Sequence, residues 1–310
     1  MTKFAFLLLL YCSYVSFVYA QAGKRRPAQL EKGAVAVIPF RTYGHHIVIP
    51  ALVSGHSDTL HFIFDTGTEV AVLHYGLADT LGLQGRQKAG VTATNNLMIK
   101  VNTATLNVLY LDKARLPFLK VYLENIPEFR NGSLKIDGFI GIDVLKAYIV
   151  KIDYAHKQLV LYAFGTAVPD IAGLQPIPFQ INFRTPVITA SIELPNGESL
   201  SGNYHVTTGG DYGILFNWPY TNKHQLNQQL VTLSTDRVQD LVKTYDYVNC
   251  IVPSLNISSF RQNKVPISYC KDVNDDSPVM EIAGAIGYQV WKQFSAVIVN
   301  YPQKELYLQQ

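Results

Sequence analysis

Phe62-Ile63-Phe64-Asp65-Thr66-Gly67-Thr68 carries a hydrophobic strand straight into a carboxylate at a tight turn. Leu60 to Phe64 has the length and the aromatic and aliphatic character of a buried strand. In the second half of the chain, Tyr204-His205-Val206-Thr207-Thr208-Gly209-Gly210 follows the same pattern, with a threonine where Asp65 stands. The two turns are 142 residues apart (207 minus 65).

Working outward, further landmarks recur at nearly the same offset. Ile136-Asp137-Gly138-Phe139-Ile140-Gly141-Ile142-Asp143-Val144-Leu145-Lys146 is answered by Ile282-Ala283-Gly284-Ala285-Ile286-Gly287-Tyr288-Gln289-Val290-Trp291-Lys292. Ile152-Asp153-Tyr154 is likewise answered by Val299-Asn300-Tyr301. The glycines are 146 apart (287 minus 141) and the tyrosines 147 (301 minus 154). A near-constant shift across three landmarks is the signature of an internal repeat.

Local patterning makes both halves β-rich. His46 to Val53 reads as a strand, followed by a polar turn at Gly55-His56-Ser57-Asp58 and a second strand to Phe64. Val187 to Leu194 reads as the matching strand, with Asn196-Gly197 expected to form a two-residue hairpin turn with positive φ angles. After Asp65 come a strand at Val70 to Leu73 and a short helix around Gly76 to Leu81, with Gly82 placed to cap it. The fold expected is all-β, with two similar lobes.

Composition narrows the function classes. Hydrophobic residues make up 48% against 16% charged, enough for a sizeable core. A net charge of +3 does not point to nucleic acid. Lys3, the apolar run Phe4 to Tyr19 and Val18-Tyr19-Ala20 read as a secretory leader cleaved after Ala20, and nothing later could span a bilayer. The expected order is therefore a leader at 1–20, a flexible segment at 21–34, a first lobe at 35–165, a connection at 166–178 and a second lobe at 179–310. An exported, periplasmic or secreted, protein follows. In such a compartment Cys250 and Cys270 are candidates for a disulfide, a pairing that spacing alone leaves open.

The Asp65-Thr66-Gly67-Thr68 turn, the downstream Phe139-Ile140-Gly141 element and the repetition of the scheme resemble the aspartic peptidases. The resemblance is to the two-lobed secreted bacterial members related to retropepsins, and it covers nearly the whole expected mature chain. It implies a bilobal acid-protease fold, two β-barrel-like lobes flanking a cleft. Each lobe of that family gives one aspartate to the cleft floor, and the pair shares a proton, one acting as base on a water and the other as acid. By resemblance Asp65 is one of the pair. Thr66 ties the turns together, Gly67 permits close backbone approach, and Thr68 bonds the carboxylate. No metal or cofactor is implied, and the expected partner is a peptide or protein.

The second motif, Thr207-Thr208-Gly209, departs from this chemistry. A threonine hydroxyl gives or takes a hydrogen bond but cannot share a proton as a carboxylate does. Asp211 aligns with Glu69, beyond the turn, and is not expected to substitute. Three functions compete: an exported peptidase that needs Asp65, through a homodimer that pairs two Asp65 turns in one version, an inactive relative that binds peptides without cutting them, and a structural or assembly role with no cleft ligand. Gly90 to Asn102 is the candidate flap over the cleft. Asp137, Asp143 and Asp153 are read as exposed or turn positions. His45-His46 is read as a surface pair, since neighbours on a strand face opposite ways.

Overall fold

The computed structural model describes residues 31–83, 87–92, 98–126, 134–239, 244–271 and 280–310, with only backbone described at 87–92, 98–100, 170 and 238–239. The expected leader and residues 93–97 of the expected flap lie outside the described residues.

The chain is all-β and two-lobed. After β1 (Ala34–Pro39) come β2 (Arg41–Tyr43), β3 (His46–Val53), β4 (Leu60–Phe64), β5 (Ala71–His74), β6 (Gln87–Thr92), β7 (Met98–Leu111), β8 (Ala114–Glu124) and β9 (Gly138–Ile140). Those from β2 onward form one sheet, ordered β2-β3-β4-β9-β5-β8-β7-β6. β10 (Ile149–Asp153), β11 (Gln158–Tyr162) and β12 (Ile177–Pro178) lead to the second half. There β13 (Gln180–Asn182), β14 (Thr185–Glu193), β15 (Ser199–Val206), β16 (Ile214–Phe216), β17 (Ser234–Gln239), β18 (Thr244–Ile257), β19 (Phe260–Tyr269) and β20 (Gly284–Ile286) form a second sheet. Its order, β13-β14-β15-β20-β16-β19-β18-β17, matches the first strand for strand.

A third sheet joins the halves. β21 (Ala296–Asn300) and β22 (Glu305–Gln309) complete the order β1-β11-β10-β21-β22-β12, with β10 and β21 antiparallel at its centre. Both central strands are buried along their whole length. Val150, Ile152, Val297 and Val299 face the main core, while Ile149 and Ile298 face a smaller cluster with Tyr162 and Tyr307. Burial on both faces explains why β21 is a near-continuous apolar run, whereas β10 keeps Lys151 and Asp153 buried in alternation with Val150 and Ile152.

The backbone repeats in detail. Residues other than glycine with positive φ recur as Asp112 and Ser258, Phe118 and Lys264, and Lys157 and Lys304. Their offsets are 146, 146 and 147 (258 minus 112, 264 minus 118, 304 minus 157). Such conformations cost free energy for side-chain-bearing residues, so their recurrence follows from two sheets bending at matching places.

Several local expectations are met and one is corrected. α1 (Leu77–Thr80) ends on Gly82 at φ 61°, whose N–H donates to Asp79 while Leu83 N–H donates to Ala78, satisfying two carbonyls at the helix end. The Asn196-Gly197 hairpin is not a two-residue loop. Leu194 N–H donates to Glu198, so the loop is Pro195-Asn196-Gly197, and within it only Gly197 has positive φ. Pro195 is disposed to start such a turn, and Asn196 Oδ1 accepts Glu198 N–H.

Candidate active site

β4 and β15 each run parallel to the short strand that follows in their sheet, β9 and β20. Asp65 N–H donates to Ile140 and Thr207 N–H to Ile286, so each turn is fastened where its strand meets the hydrophobic-hydrophobic-glycine element. α2 (Ile142–Leu145) starts just beyond, and its Ile142 N–H donates to Thr68. Gly141 is obligatory at this crossing, because a Cβ there would lie 1.6 Å from the Asp65 carbonyl oxygen.

The two turns meet. Thr66 Oγ1 donates to the Val206 carbonyl at 2.7 Å, and Thr66 N–H donates to Thr208 Oγ1 at 3.1 Å. Thr208 Oγ1 in turn donates to the Phe64 carbonyl at 3.4 Å. Both threonines are fully buried, so these bonds satisfy polar groups that water cannot reach. Thr66 thus has the tying role that the resemblance implies.

Asp65 is half-buried and accepts four hydrogen bonds. Oδ1 takes the N–H groups of Gly67 (2.8 Å), Thr208 (3.0 Å) and Gly209 (2.9 Å). Among the described residues Oδ2 takes only the Thr68 hydroxyl, at 3.3 Å. A Cβ on Gly209 would fall 2.5 Å from both Cβ and Cγ of Asp65, so this approach is open to glycine alone. Two of the three amides come from the opposite half of the chain.

The second half-site is filled by a residue that the sequence reading passed over. Thr207 Oγ1 lies 3.0 Å from Tyr212 Oη and 3.2 Å from the Ile286 carbonyl. A carbonyl only accepts, so the threonine proton goes to Ile286 and the phenol donates to Thr207. The Tyr212 ring packs where a Cβ on Gly210 or on Gly287 would clash, at 2.2 and 2.5 Å. Gly210 stands at the position equivalent to Thr68 (210 minus 68 is the same 142). The carboxylate and its supporting hydroxyl are therefore both absent, and an aromatic ring takes up their space. Burial, aided by the Asp65 charge, pushes the Tyr212 phenol well up, so it serves as a hydroxyl rather than a phenolate.

Other residues flank the site. Burial holds the His46 ring below its usual range, although its hydrogen bond with the Gly209 backbone and the charges of Asp211 and Asp65 act in the opposite direction. His45 Nδ1 pairs with Asp211 Oδ2 at 2.5 Å across the two halves, and Asp211 Oδ1 accepts from Gln289 Nε2 at 2.6 Å. His45 is exposed, as the surface reading expects, and its pair with Asp211 also joins the two halves. His45 lies in the turn between β2 and β3 and His46 opens β3, and both reach the turn after Thr207. As expected, Asp211 does not replace the missing carboxylate. Burial, with smaller contributions from Tyr288 and the Asp65 charge, pushes the Tyr154 phenol well up, and its hydroxyl is buried.

Two further expectations need correction. Asp137 and Asp153 are buried rather than exposed, although Asp153 does stand at a turn: Asp137 accepts His61 N–H at 2.9 Å, and Asp153 accepts His156 N–H, three residues on, at 2.8 Å. Asp143 is half-buried and accepts Ala71 N–H at 3.0 Å. All three brace backbone and belong to no catalytic pair. Cys250 and Cys270 form no disulfide. Cys250 lies opposite Ile267, and Cys270 follows Tyr269, opposite in parity, so the thiols face different clusters. No cluster of metal-binding side chains occurs among the described residues. No helix among them is long and apolar enough to cross a membrane.

Matched sheets, tied turns and a carboxylate at their meeting point define the two-lobed aspartic-peptidase architecture. The family model described as aspartyl protease matches residues 49–144, from within β3 through α2, a stretch that contains Asp65. That match supports a relationship to the aspartic peptidases and a peptidase-like function. No curated protein sequence matches the chain.

Proposed function

We propose that this protein is an exported, non-catalytic relative of the aspartic peptidases that binds extended peptide between its lobes. The observation that carries this reading is Thr207, whose hydroxyl is committed to Tyr212 and Ile286 where a second carboxylate would stand. Peptide hydrolysis by this fold needs one group to take a proton from water and another to give one to the substrate. Asp65 alone supplies one carboxylate. Tyr212, held as a neutral phenol and spent on Thr207, is a poor substitute acid.

The peptidase reading requires another source for the second carboxylate. Two copies pairing their Asp65 turns would supply it, but each copy would first lose the Thr66–Val206 and Thr66–Thr208 bonds and two amides on Asp65. Each buried polar group left unpaired costs about 1–3 kcal/mol, which disfavours that route.

The test measures hydrolysis and binding of a mixed-sequence peptide library by the purified protein and by Asp65→Asn. Binding without cleavage is expected. Cleavage that Asp65→Asn abolishes would overturn the proposal in favour of a working peptidase.

A further inference from the structure

We infer that the group this site recognises is a hydrogen-bond donor carrying positive charge, a lysine or arginine side chain or a peptide amino terminus, held at Asp65 Oδ2. The inference rests on the peptide-binding reading above and names the ligand chemistry of the same site.

A protonated carboxyl beside an ionised one both gives and takes hydrogen bonds, so a dyad can hold a substrate carbonyl. Here the second position offers no such proton, because the Thr207 and Tyr212 hydroxyls satisfy one another and Ile286. A peptide carbonyl at this point would bring one acceptor against another. A donor suits it instead.

The two carboxylate oxygens differ in what they can still accept. Oδ1 is saturated by three backbone amides, whereas among the described residues Oδ2 has only the Thr68 hydroxyl at 3.3 Å. Among the described residues no lysine or arginine is paired with Asp65. His46, which bonds the Gly209 backbone, is disfavoured as a cation by its burial. His45 is engaged with Asp211, and Lys292 lies over the Tyr288 ring at 5.4 Å. The carboxylate is thus half-buried, oriented by neutral donors and without a resident counter-charge.

The experiment is fluorescence anisotropy on the purified full chain with peptide pairs that differ at one side chain, lysine against norleucine and arginine against citrulline, each with free and acetylated amino termini. The charged member is expected to bind about tenfold tighter or better, as a charge-assisted bond does, and Asp65→Asn is expected to erase the difference. Asparagine keeps an oxygen for the three amides, so the turn should survive. A second readout needs no variant: the side-chain carboxyl ¹³C signal of Asp65 should move with the lysine peptide and stay still with the norleucine peptide. Equal affinity within the pairs would overturn this inference and leave peptide binding standing. A charge preference that persists in Asp65→Asn, or an unmoved Asp65 signal, would place the cation elsewhere and overturn it too. Absence of any peptide binding would overturn both readings.

Discussion

The backbone N–H of Gly209 lies 2.9 Å from Asp65 Oδ1, so the second turn serves the carboxylate of the first instead of presenting one of its own. This contact makes Gly209 more demanding than its counterpart Gly67. A Cβ at 209 would meet Cβ and Cγ of Asp65 at 2.5 Å, atoms that four hydrogen bonds hold in place. A Cβ at 67 would meet first the methyl of Thr207, at 2.8 Å. Gly209→Ala should cost about 3 kcal/mol and Gly67→Ala about 1 kcal/mol in urea unfolding. Equal losses would mean that the Asp65 side chain is free to move aside.

Thr207→Asp alone should leave the protein inactive on peptides. The new carboxylate would face the Tyr212 phenol and would lack a hydroxyl at position 210, the equivalent of Thr68. Adding Gly210→Thr with Tyr212→Val, which brings back the residue types of the first turn, should yield measurable hydrolysis. Activity from Thr207→Asp alone would show that Tyr212 and Gly210 do not block the second half-site.

Replacing Thr66 with valine keeps the shape but removes the donor to Val206, leaving a buried carbonyl short of a partner. Thr208→Val likewise strips the acceptor from Thr66 N–H. Each should lower stability by about 1–3 kcal/mol in denaturant unfolding. Losses below the error of the titration would remove these bonds from the account of how the halves are held together.

His46 should make the fold acid-sensitive. Its folded-state pKa is lowered mainly by burial, so the unfolded chain takes up the proton first as pH falls. The stability this ring contributes is therefore present above the unfolded-state value, about 6.5, and is lost as pH falls through the folded one. His46→Gln should show a shallower fall in Tm than the wild type between about pH 7 and pH 5. Parallel curves would assign the acid sensitivity to other groups.

Much of the architecture was legible because it rests on patterns carried by short segments. His46–Val53 and Leu60–Phe64 are strands with the bounds their composition implies. Gly82 caps α1, because a left-handed residue there needs no side chain. The Asn196-Gly197 turn is a three-residue loop, because Asn-Gly signals a hairpin without fixing its length. Whether Cys250 and Cys270 pair is open in the sequence, and the register of β18 and β19 sets their faces apart.

Within the site, the sequence by itself determined which half carries the carboxylate and which lacks it, since Asp65 and Thr207 are read directly from matched motifs. It also determined that two like lobes would form, because strand and turn preferences are local and recur at one offset. Only the tertiary structure decided that the Thr208 and Gly209 amides close on Asp65, that Tyr212 fills the vacated half-site, and that His46 reaches Gly209. Backbone N–H groups are the same in every residue but proline, so no side-chain pattern announces where they point. The residues they serve lie more than 140 positions away, brought together by the pairing of two folded halves.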